Sequence, residues 1–285
     1  MSSLLKPSMA ICCIYVVAAW ILLQMGMALS HHISDVELQP DMWLVIQNML
    51  FDLVVGHSFF ETVFILLIGL TCLRMLTYMG RHLYASYNWY TYVKVRMHPR
   101  LTTQWTRKYK KWHTHIDVIR EQQPVAFAIG MIHPRIVIST GLLDMLSVEE
   151  VHAVLLHERY HCTQRHPLKK WLATMIITSM PYMSILKGLG HYYDIWIELL
   201  ADRYAITQTN STYTIGTALL KLVQTQRFVN PCQGGSFSDT AINYRLSQLI
   251  NPEQSIEVPM VSLRSVCTSG TVLIVISMII FFQCI

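Results

Sequence analysis

The most informative stretch of this chain is SVEEVHAVLLHERYHCT, residues 147–163. Ser147, followed three residues later by Glu150, matches the capping pattern of a helix N-terminus. Apolar residues then recur at spacings of three and four, which is typical of a helix with one buried face. They are Val148, Val151, Val154, Leu155 and Tyr160. We therefore predict a helix over 147–163.

Two histidines of this helix have the spacing of metal ligands. His157 and His161 are four residues apart, so they lie one above the other on one helix face. Glu158 lies about 100° further round the helix, where it can act on a water molecule without binding the metal. This HExxH arrangement predicts one catalytic Zn²⁺, with Glu158 as general base. The alternative is a chance spacing, which would leave two unpaired histidines in an apolar helix at considerable cost.

A catalytic zinc site needs a third protein ligand. Glu198 is the candidate, in the segment WIELLAD (residues 196–202) of a second predicted helix over 193–207. Asp202 lies one turn further on the same face, where its carboxylate can orient a ligand histidine. The alternative is that both acids are surface charges on an amphipathic helix.

Other polar residues are weaker candidates. Tyr193 and Arg245 could stabilise an oxyanion. His113 and His115 lie in a basic region and are expected to be exposed, while His166 is expected at a helix end beside a proline.

The composition predicts a membrane protein. Hydrophobic residues make up 53% of the chain and charged residues 14%, against about 25% charged residues in soluble proteins. The windows 9–29, 59–79 and 266–285 have the length of roughly 20 residues that a membrane span needs. Glu61 and Arg74 flank the uncharged part of the second window. A cleaved signal peptide is the alternative for the first window.

Charge predicts the orientation. The stretch 30–58 has four acidic residues and no Lys or Arg, whereas 81–170 has 14 Lys or Arg and 6 Asp or Glu. The positive-inside rule therefore places 81–170 in the cytoplasm. If the chain then crosses the membrane only once more, over 266–285, the C-terminus lies outside. The basic run 107–111 is expected to rest on lipid head groups, so the net charge of +5 needs no nucleic acid. Seven scattered cysteines without a CxxC pair predict no disulfide framework.

The apolar run 171–186 constrains the topology. If it crossed the membrane once, Glu198 would lie on the opposite side from His157 and His161. We therefore expect a re-entrant, interfacial or domain-buried helix, bent near Pro181. The predicted domains are a membrane hairpin over 1–80, a cytoplasmic zinc domain over 81–265 that includes 171–186, and a C-terminal span over 266–285.

Further elements follow from local patterns. The segments 124–130 and 135–139 are strand candidates, and the turn residues between them predict a β-hairpin. Residues 88–96 fit either a strand or the end of a helix. Helices are expected over 103–120, 212–228 and 240–250, with a loop over 230–239.

Several of these motifs resemble those of the BlaR/MecR-type membrane metallopeptidases. The similar segments are AFAIG (126–130), PRIVIS (134–139), GLLD (141–144), LSVEE (146–150), VLLHE (154–158) and the Glu198-x-x-Ala-Asp202 element. The resemblance covers about residues 90–250. It implies a gluzincin fold, with His157, His161 and Glu198 as zinc ligands, Glu158 as base and Asp202 as their partner.

The resemblance also implies how substrates bind. The strand Val125, Ala126, Phe127, Ala128 and Ile129 would offer its edge to an extended substrate. Signalling members of that group cleave themselves and trigger loss of a transcriptional repressor. We expect no penicillin-binding domain after Ile285, and therefore no direct sensing of β-lactams. HtpX-like proteases are the nearest rival. They usually place two membrane spans between the motif and the third ligand, whereas this chain has 36 residues there.

We thus expect an α+β membrane protein: a mainly helical zinc domain with a small sheet, about three spans and one re-entrant or interfacial helix. Its predicted function is a zinc metalloendopeptidase that cleaves proteins at the cytoplasmic membrane face in regulatory signalling. The expected partners are the lipid bilayer and a protein or peptide substrate, with a repressor or the chain itself as candidates; a homodimer stays open. The alternatives are an HtpX-like quality-control protease and a non-catalytic zinc-binding signalling protein. A transporter is disfavoured because the spans contain few ionisable groups.

Overall fold

The computed structural model describes residues 7–35, 59–229, 236–251 and 256–283. It divides into two compact units. The first, here called the apolar unit, comprises Met1–His82, Ala173–Gly190 and Met260–Ile285. The second, the mixed unit, comprises Leu83–Leu172 and His191–Pro259. Residues 173–190 are thus grouped with the apolar helices, whereas we predicted them within the zinc domain; the predicted boundaries themselves stay a prediction.

The described chain is mainly helical, with one small sheet. The helices are α1 (Pro7–Asp35), α2 (Phe59–Arg96), α3 (Pro99–Lys108), α4 (Thr140–Met145), α5 (Val148–Thr163), α6 (His166–Ser179), α7 (Ser184–Thr209), α8 (Thr212–Val229), α9 (Ser236–Ile250) and α10 (Leu263–Gln283). The strands are β1 (Ile116–Ile119), β2 (Ala126–Ile129) and β3 (Arg135–Ser139).

Two helices of the described chain have the length and composition of membrane spans, over Pro7–Ser30 and Thr62–Arg96. Leu263–Ile279, within the third predicted span, is apolar but shorter. Large apolar side chains on these helices are exposed, including Val16, Leu66 and Leu73, which a lipid environment would cover. The helices therefore support association with a membrane and leave the number of spans and their orientation as predictions.

Polar side chains connect the helices of the apolar unit. Gln24 of α1 donates to the Ser277 hydroxyl of α10 at 2.7 Å. Tyr182 lies 3.3 Å from the Thr71 hydroxyl of α2, and the backbone N–H of Ile185 donates to Ser269 of α10 at 3.0 Å. In an apolar surrounding such bonds satisfy polar groups that lipid could not.

The predicted bend near Pro181 is present. α6 ends at Ser179 and α7 begins at Ser184, because proline lacks the N–H that a continuous helix needs. After the bend the helices pack closely, since a Cβ atom on Gly190 would lie 2.5 Å from Cδ1 of Ile177. The chain therefore runs out along α6 and back along α7; its depth in a membrane stays a prediction.

The sheet of the mixed unit has the order β1-β3-β2. β2 and β3 pair antiparallel, with Phe127 opposite Val137, so the predicted hairpin is confirmed. Gly130 follows β2 with φ +101°, in the left-handed region that favours glycine. β1 pairs parallel with β3, which makes β3 the central strand.

The helix predicted over 103–120 is wrong in its second half. α3 ends at Lys108, a 3-10 turn covers Lys110–Trp112, and His113 adopts φ 53°. Residues 116–119 form β1 instead, because the four buried residues IDVI, three of them β-branched, pair with β3. Residues 88–96, for which strand and helix were both open, form the end of α2.

The aromatic residues of the basic segment pack inward. Tyr109 is buried in the main core, and Trp105 and Trp112 pack against it. That the basic run 107–111 rests on lipid head groups stays a prediction. The neighbouring basic side chains of 107–111 are exposed. Part of the loop predicted over 230–239 lies outside the described residues, and 236–239 belong to α9.

Candidate metal centre

α5 forms as predicted and carries the two histidines on one face. Ser147 accepts from the Glu150 backbone N–H, and the Glu150 carboxylate accepts from the Ser147 N–H, which completes the capping box. His157 and His161 are both buried. Their Nε2 atoms lie 3.1 Å apart, so both rings direct the same nitrogen toward one point.

Glu198 of α7 completes this cluster. Its Oε2 lies 3.3 Å from Nε2 of His157, and its Oε1 lies 3.6 Å from Nε2 of His161. The three candidate ligand atoms lie within 4.8 Å of one another. Zinc bonds of about 2.0–2.1 Å in a tetrahedron place ligand atoms roughly 3.3 Å apart. The observed separations therefore fit one zinc ion held by His157, His161 and Glu198.

Asp202 supports the cluster from one helical turn further along α7. Its Oδ1 accepts from Nδ1 of His157 at 2.8 Å. Arg245 of α9 donates from Nε to Oδ2 at 2.7 Å and from Nη2 to Oδ1 at 2.8 Å. A carboxylate in this place orients the ligand histidine and keeps its proton on Nδ1, the nitrogen that faces away from the metal.

The charges of the centre favour a bound cation. Burial and the charge of Arg245 lower the pKa of His157, but Asp202 and Glu198 outweigh both and raise it to about 9. Burial raises the pKa of Glu198, but hydrogen bonds from His157 and His161 outweigh it and hold this pKa well below its usual range. Without metal, the neighbouring carboxylates thus favour a proton on His157.

Glu158 borders a cavity of about 620 Å³ beside the ligand cluster. The wall of this cavity comes from β2, α5, α6, α7, α8 and α9. Apolar side chains of α8 form part of it, among them Ile215 and Leu219, and polar residues at another part include Lys170 and Asp194. Glu158 lines the cavity together with the three candidate ligands but does not belong to their group, and its role as general base stays a prediction.

β2 lies at an edge of the sheet and borders the same cavity through Ala126, Phe127 and Ala128. The Ser139 backbone N–H donates to the Val125 carbonyl at 3.0 Å. Because bonded and non-bonded pairs alternate in antiparallel strands, the backbone groups of Ala126 and Ala128 point away from β3. In the described part of the chain this edge of β2 has no neighbouring strand, which supports the predicted use of β2 by an extended substrate.

The two predicted oxyanion stabilisers differ in position. Arg245 lines the cavity, and its Nη1 lies 3.5 Å from Glu198 Oε2. Tyr193 is buried, with its ring 6.3 Å from that of His166. His115 lies 3.5 Å from Asp117, and within the described chain neither it nor His113 joins the metal cluster.

The contact of His166 with His161 is a feature of the site that the sequence did not predict. His166 begins α6, as expected, but it is buried and its Nδ1 lies 2.8 Å from Nδ1 of His161. The signal in the sequence that could have indicated this contact is the spacing of five residues between the two histidines of HCTQRH (161–166).

Comparison with known proteins supports a peptidase. Residues 95–233 match the family model described as "Peptidase family M48", a zinc-dependent family. Over 78 residues the chain is 33% identical to "Protease HtpX homolog" of Sulfurovum sp. (strain NBC37-1). The matched segment covers 27% of each of the two chains. The chain therefore spans about a quarter of the length of this curated relative. These matches support an M48-type metallopeptidase. They do not confirm the BlaR/MecR assignment, and they support the HtpX-like alternative no better than the main interpretation.

Proposed function

We propose that this chain, which contains an M48-type peptidase region, is a zinc-dependent endopeptidase that cleaves protein substrates at the cytoplasmic face of a membrane. One observation carries the proposal. Nε2 of His157, Nε2 of His161 and the Glu198 carboxylate converge within 4.8 Å, beside Glu158 and a cavity with a free strand edge. This combination supports hydrolysis of an extended peptide.

Each residue of the centre has a distinct task in this proposal. Zinc, when bound, supplies a Lewis acid that polarises the scissile carbonyl. Glu158 takes a proton from the attacking water and passes it to the leaving amine. Asp202 keeps His157 in the tautomer that presents Nε2 as a ligand. Arg245 holds Asp202 through two hydrogen bonds and presents Nη1 at the cavity as a candidate oxyanion donor.

The substrate would lie along β2. The outward N–H and C=O groups of Ala126 and Ala128 can pair with the backbone of an extended segment. Main-chain pairing does not depend on the sequence of the bound segment, and alternate side chains of that segment would face the same side. This geometry favours an endopeptidase that acts on unfolded or flexible segments.

The cellular setting is also part of the proposal. Apolar helices and the distribution of basic residues support a multi-pass membrane protein whose zinc domain is cytoplasmic. We place the protease in regulatory signalling, with a transcriptional repressor or the chain itself as the substrate. The name of the relative from Sulfurovum sp. favours a second candidate, a protease of the HtpX type.

Replacement of Glu158 by Gln tests the proposed activity. Glu158→Gln removes the proton acceptor while the three ligands remain, so cleavage should fall by about 10²–10⁴-fold with zinc retained. The measurement pairs zinc content with cleavage of an unfolded protein by purified full-length chain. Glu149→Gln is the matched control, because it makes the same change at an exposed position of α5. Equal cleavage by Glu158→Gln and wild type would contradict the proposal and favour a non-catalytic zinc protein.

The same variant separates the two cellular roles. Glu158→Gln in native membranes should retain uncleaved substrates. Enrichment of one repressor or of the chain itself supports signalling, while a broad set of damaged membrane proteins supports quality control.

A further inference from the structure

The ring nitrogens of His161 and His166 face each other across 2.8 Å, both through Nδ1. His161 uses its other nitrogen, Nε2, toward His157 and Glu198. His166 thus lies on the side of His161 opposite to the ligand cluster. This position makes it a partner of a ligand rather than a fourth ligand.

The protonation of His161 determines what this contact does. A neutral imidazole that binds zinc through Nε2 carries its proton on Nδ1, and this N–H needs an acceptor. For His157 the acceptor is Asp202, at 2.8 Å. For His161 the described structure places Nδ1 of His166 at that position. Because Nδ1 of His166 must accept this hydrogen bond, it carries no proton. The neutral ring of His166 then has its own proton on Nε2.

The local backbone holds His166 in place. α5 ends at Thr163, and Arg165 adopts φ 53° before α6 begins at His166. The Arg165 N–H donates to the Cys162 carbonyl at 3.1 Å. This tight turn returns the chain within five residues, so that the ring of His166 lies over the last turn of α5.

Aromatic packing also fixes the orientation of the His166 ring. Its centroid lies 5.5 Å from the Tyr160 ring and 6.3 Å from the Tyr193 ring, both in edge-on geometry. Only 5% of the residue is exposed. The acceptor is thus held rigidly, as a residue that orients a metal ligand must be.

We propose that His166 is a positioning residue that accepts a hydrogen bond from Nδ1 of His161 and holds that ligand in its zinc-binding tautomer. The two ligand histidines then have different partners: a carboxylate for His157 and a neutral imidazole for His161. The inference rests on the proposed zinc site, but it concerns affinity for the metal rather than proteolysis.

The test compares two replacements of His166 in the purified full-length chain. His166→Phe keeps an aromatic ring between Tyr160 and Tyr193 and removes the acceptor. His166→Asn places its amide oxygen close to the position of Nδ1 and keeps an acceptor. Zinc affinity is measured by competition with a chromophoric chelator. We expect about 10–100-fold weaker binding for His166→Phe and a loss of less than about threefold for His166→Asn.

Controls separate this role from a structural one. His152→Leu removes another histidine of α5, whose Nδ1 bonds to the Tyr109 hydroxyl at 3.0 Å, and it should bind zinc like wild type. Thermal unfolding of the metal-free variants shows which are folded, and His166→Leu replaces the Phe variant if the larger ring does not fit. The absorption spectrum of bound Co²⁺ should change in His166→Phe and be preserved in His166→Asn.

Each outcome is decisive. Wild-type affinity in folded His166→Phe or His166→Leu overturns the inference. An equal loss in His166→Asn also overturns it, because burial rather than the acceptor would then matter. If wild type binds no zinc, both the inference and the proposed function fail; if wild type binds zinc and only the His166 result fails, the proposed function stands.

Discussion

Asp202 Oδ1 lies 2.8 Å from His157 Nδ1, and this contact joins the candidate metal centre to a buried ion pair. The same carboxylate accepts two hydrogen bonds from Arg245. Asp202 has no exposed surface, so its charge is compensated by protein groups alone. The residue therefore affects both metal affinity and stability.

Asp202→Asn should weaken both properties. Zinc affinity should fall by about 10–100-fold, because His157 loses its charged partner. The free energy of unfolding should fall by about 3 kcal/mol, because the buried Arg245 loses its counter-charge. Chelator competition and denaturant unfolding measure the two effects. Asp194→Asn on the same helix is the control: its pair with Lys170 is exposed, so a loss above about 1 kcal/mol there would be unexpected.

The metal-free protein should lose stability as the pH rises. The pKa of His157 is about 9 in the folded protein, against 6.5 ordinarily, so its protonated form stabilises the fold. This contribution is complete below pH 6.5 and is lost as the pH passes 9, a change of roughly 3 kcal/mol. Thermal unfolding in chelator between pH 6 and 9.5 measures it. The slope should flatten in His157→Gln; an unchanged slope there would assign the effect to another group.

A proline at Ala128 should impair substrate binding while leaving the sheet intact. The N–H of Ala128 points away from β3, so proline removes a bond to the substrate and none to the sheet. The loss of one hydrogen bond, about 1 kcal/mol, predicts a rise in KM of about fivefold for an extended peptide. Zinc content should be unchanged. Phe127→Pro is the contrasting variant, since it breaks pairing with Val137 and should destabilise the domain; wild-type KM in Ala128→Pro would argue against the edge as the binding surface.

The bend at Pro181 predicts the membrane topology. Residues 164 and 187 flank the apolar run and should be labelled from the same, cytoplasmic side. Single cysteines at exposed Gln164 and Lys187, in a chain without its seven native cysteines, allow this measurement in intact cells. A cysteine at Asp41, predicted outside, is the control. Labelling of 164 and 187 from opposite sides would show that the run crosses the membrane once.

Local patterns explain which parts were predictable. The capping box at Ser147 and the spacing of His157 and His161 depend only on residues within one helix, and both are present as predicted. The β2–β3 hairpin also depends on neighbouring residues. Glu198 is 37 residues beyond His161, yet the chemical need for a third ligand indicated it.

Contacts that depend on distant pairing were less predictable. The sequence predicts a helix where β1 forms, because the parallel pairing of β1 with β3 depends on residues further along the chain and not on the basic residues that precede it. Arg245 was chosen as an oxyanion candidate, and its two bonds to Asp202 depend on the packing of α9 beside α7. His166 was placed only at a helix end, because its contact with His161 depends on the left-handed conformation of Arg165.

The order of the centre along the chain has a consequence for biosynthesis. His157 and His161 leave the ribosome first, Glu198 follows after the α6–α7 bend, and Arg245 emerges 43 residues after Asp202. Since domains fold as units during synthesis, the three candidate ligands and the Arg245 that holds Asp202 come together only once translation has passed α9. A nascent chain that ends before α9 therefore lacks the Arg245–Asp202 pair that supports the candidate metal centre.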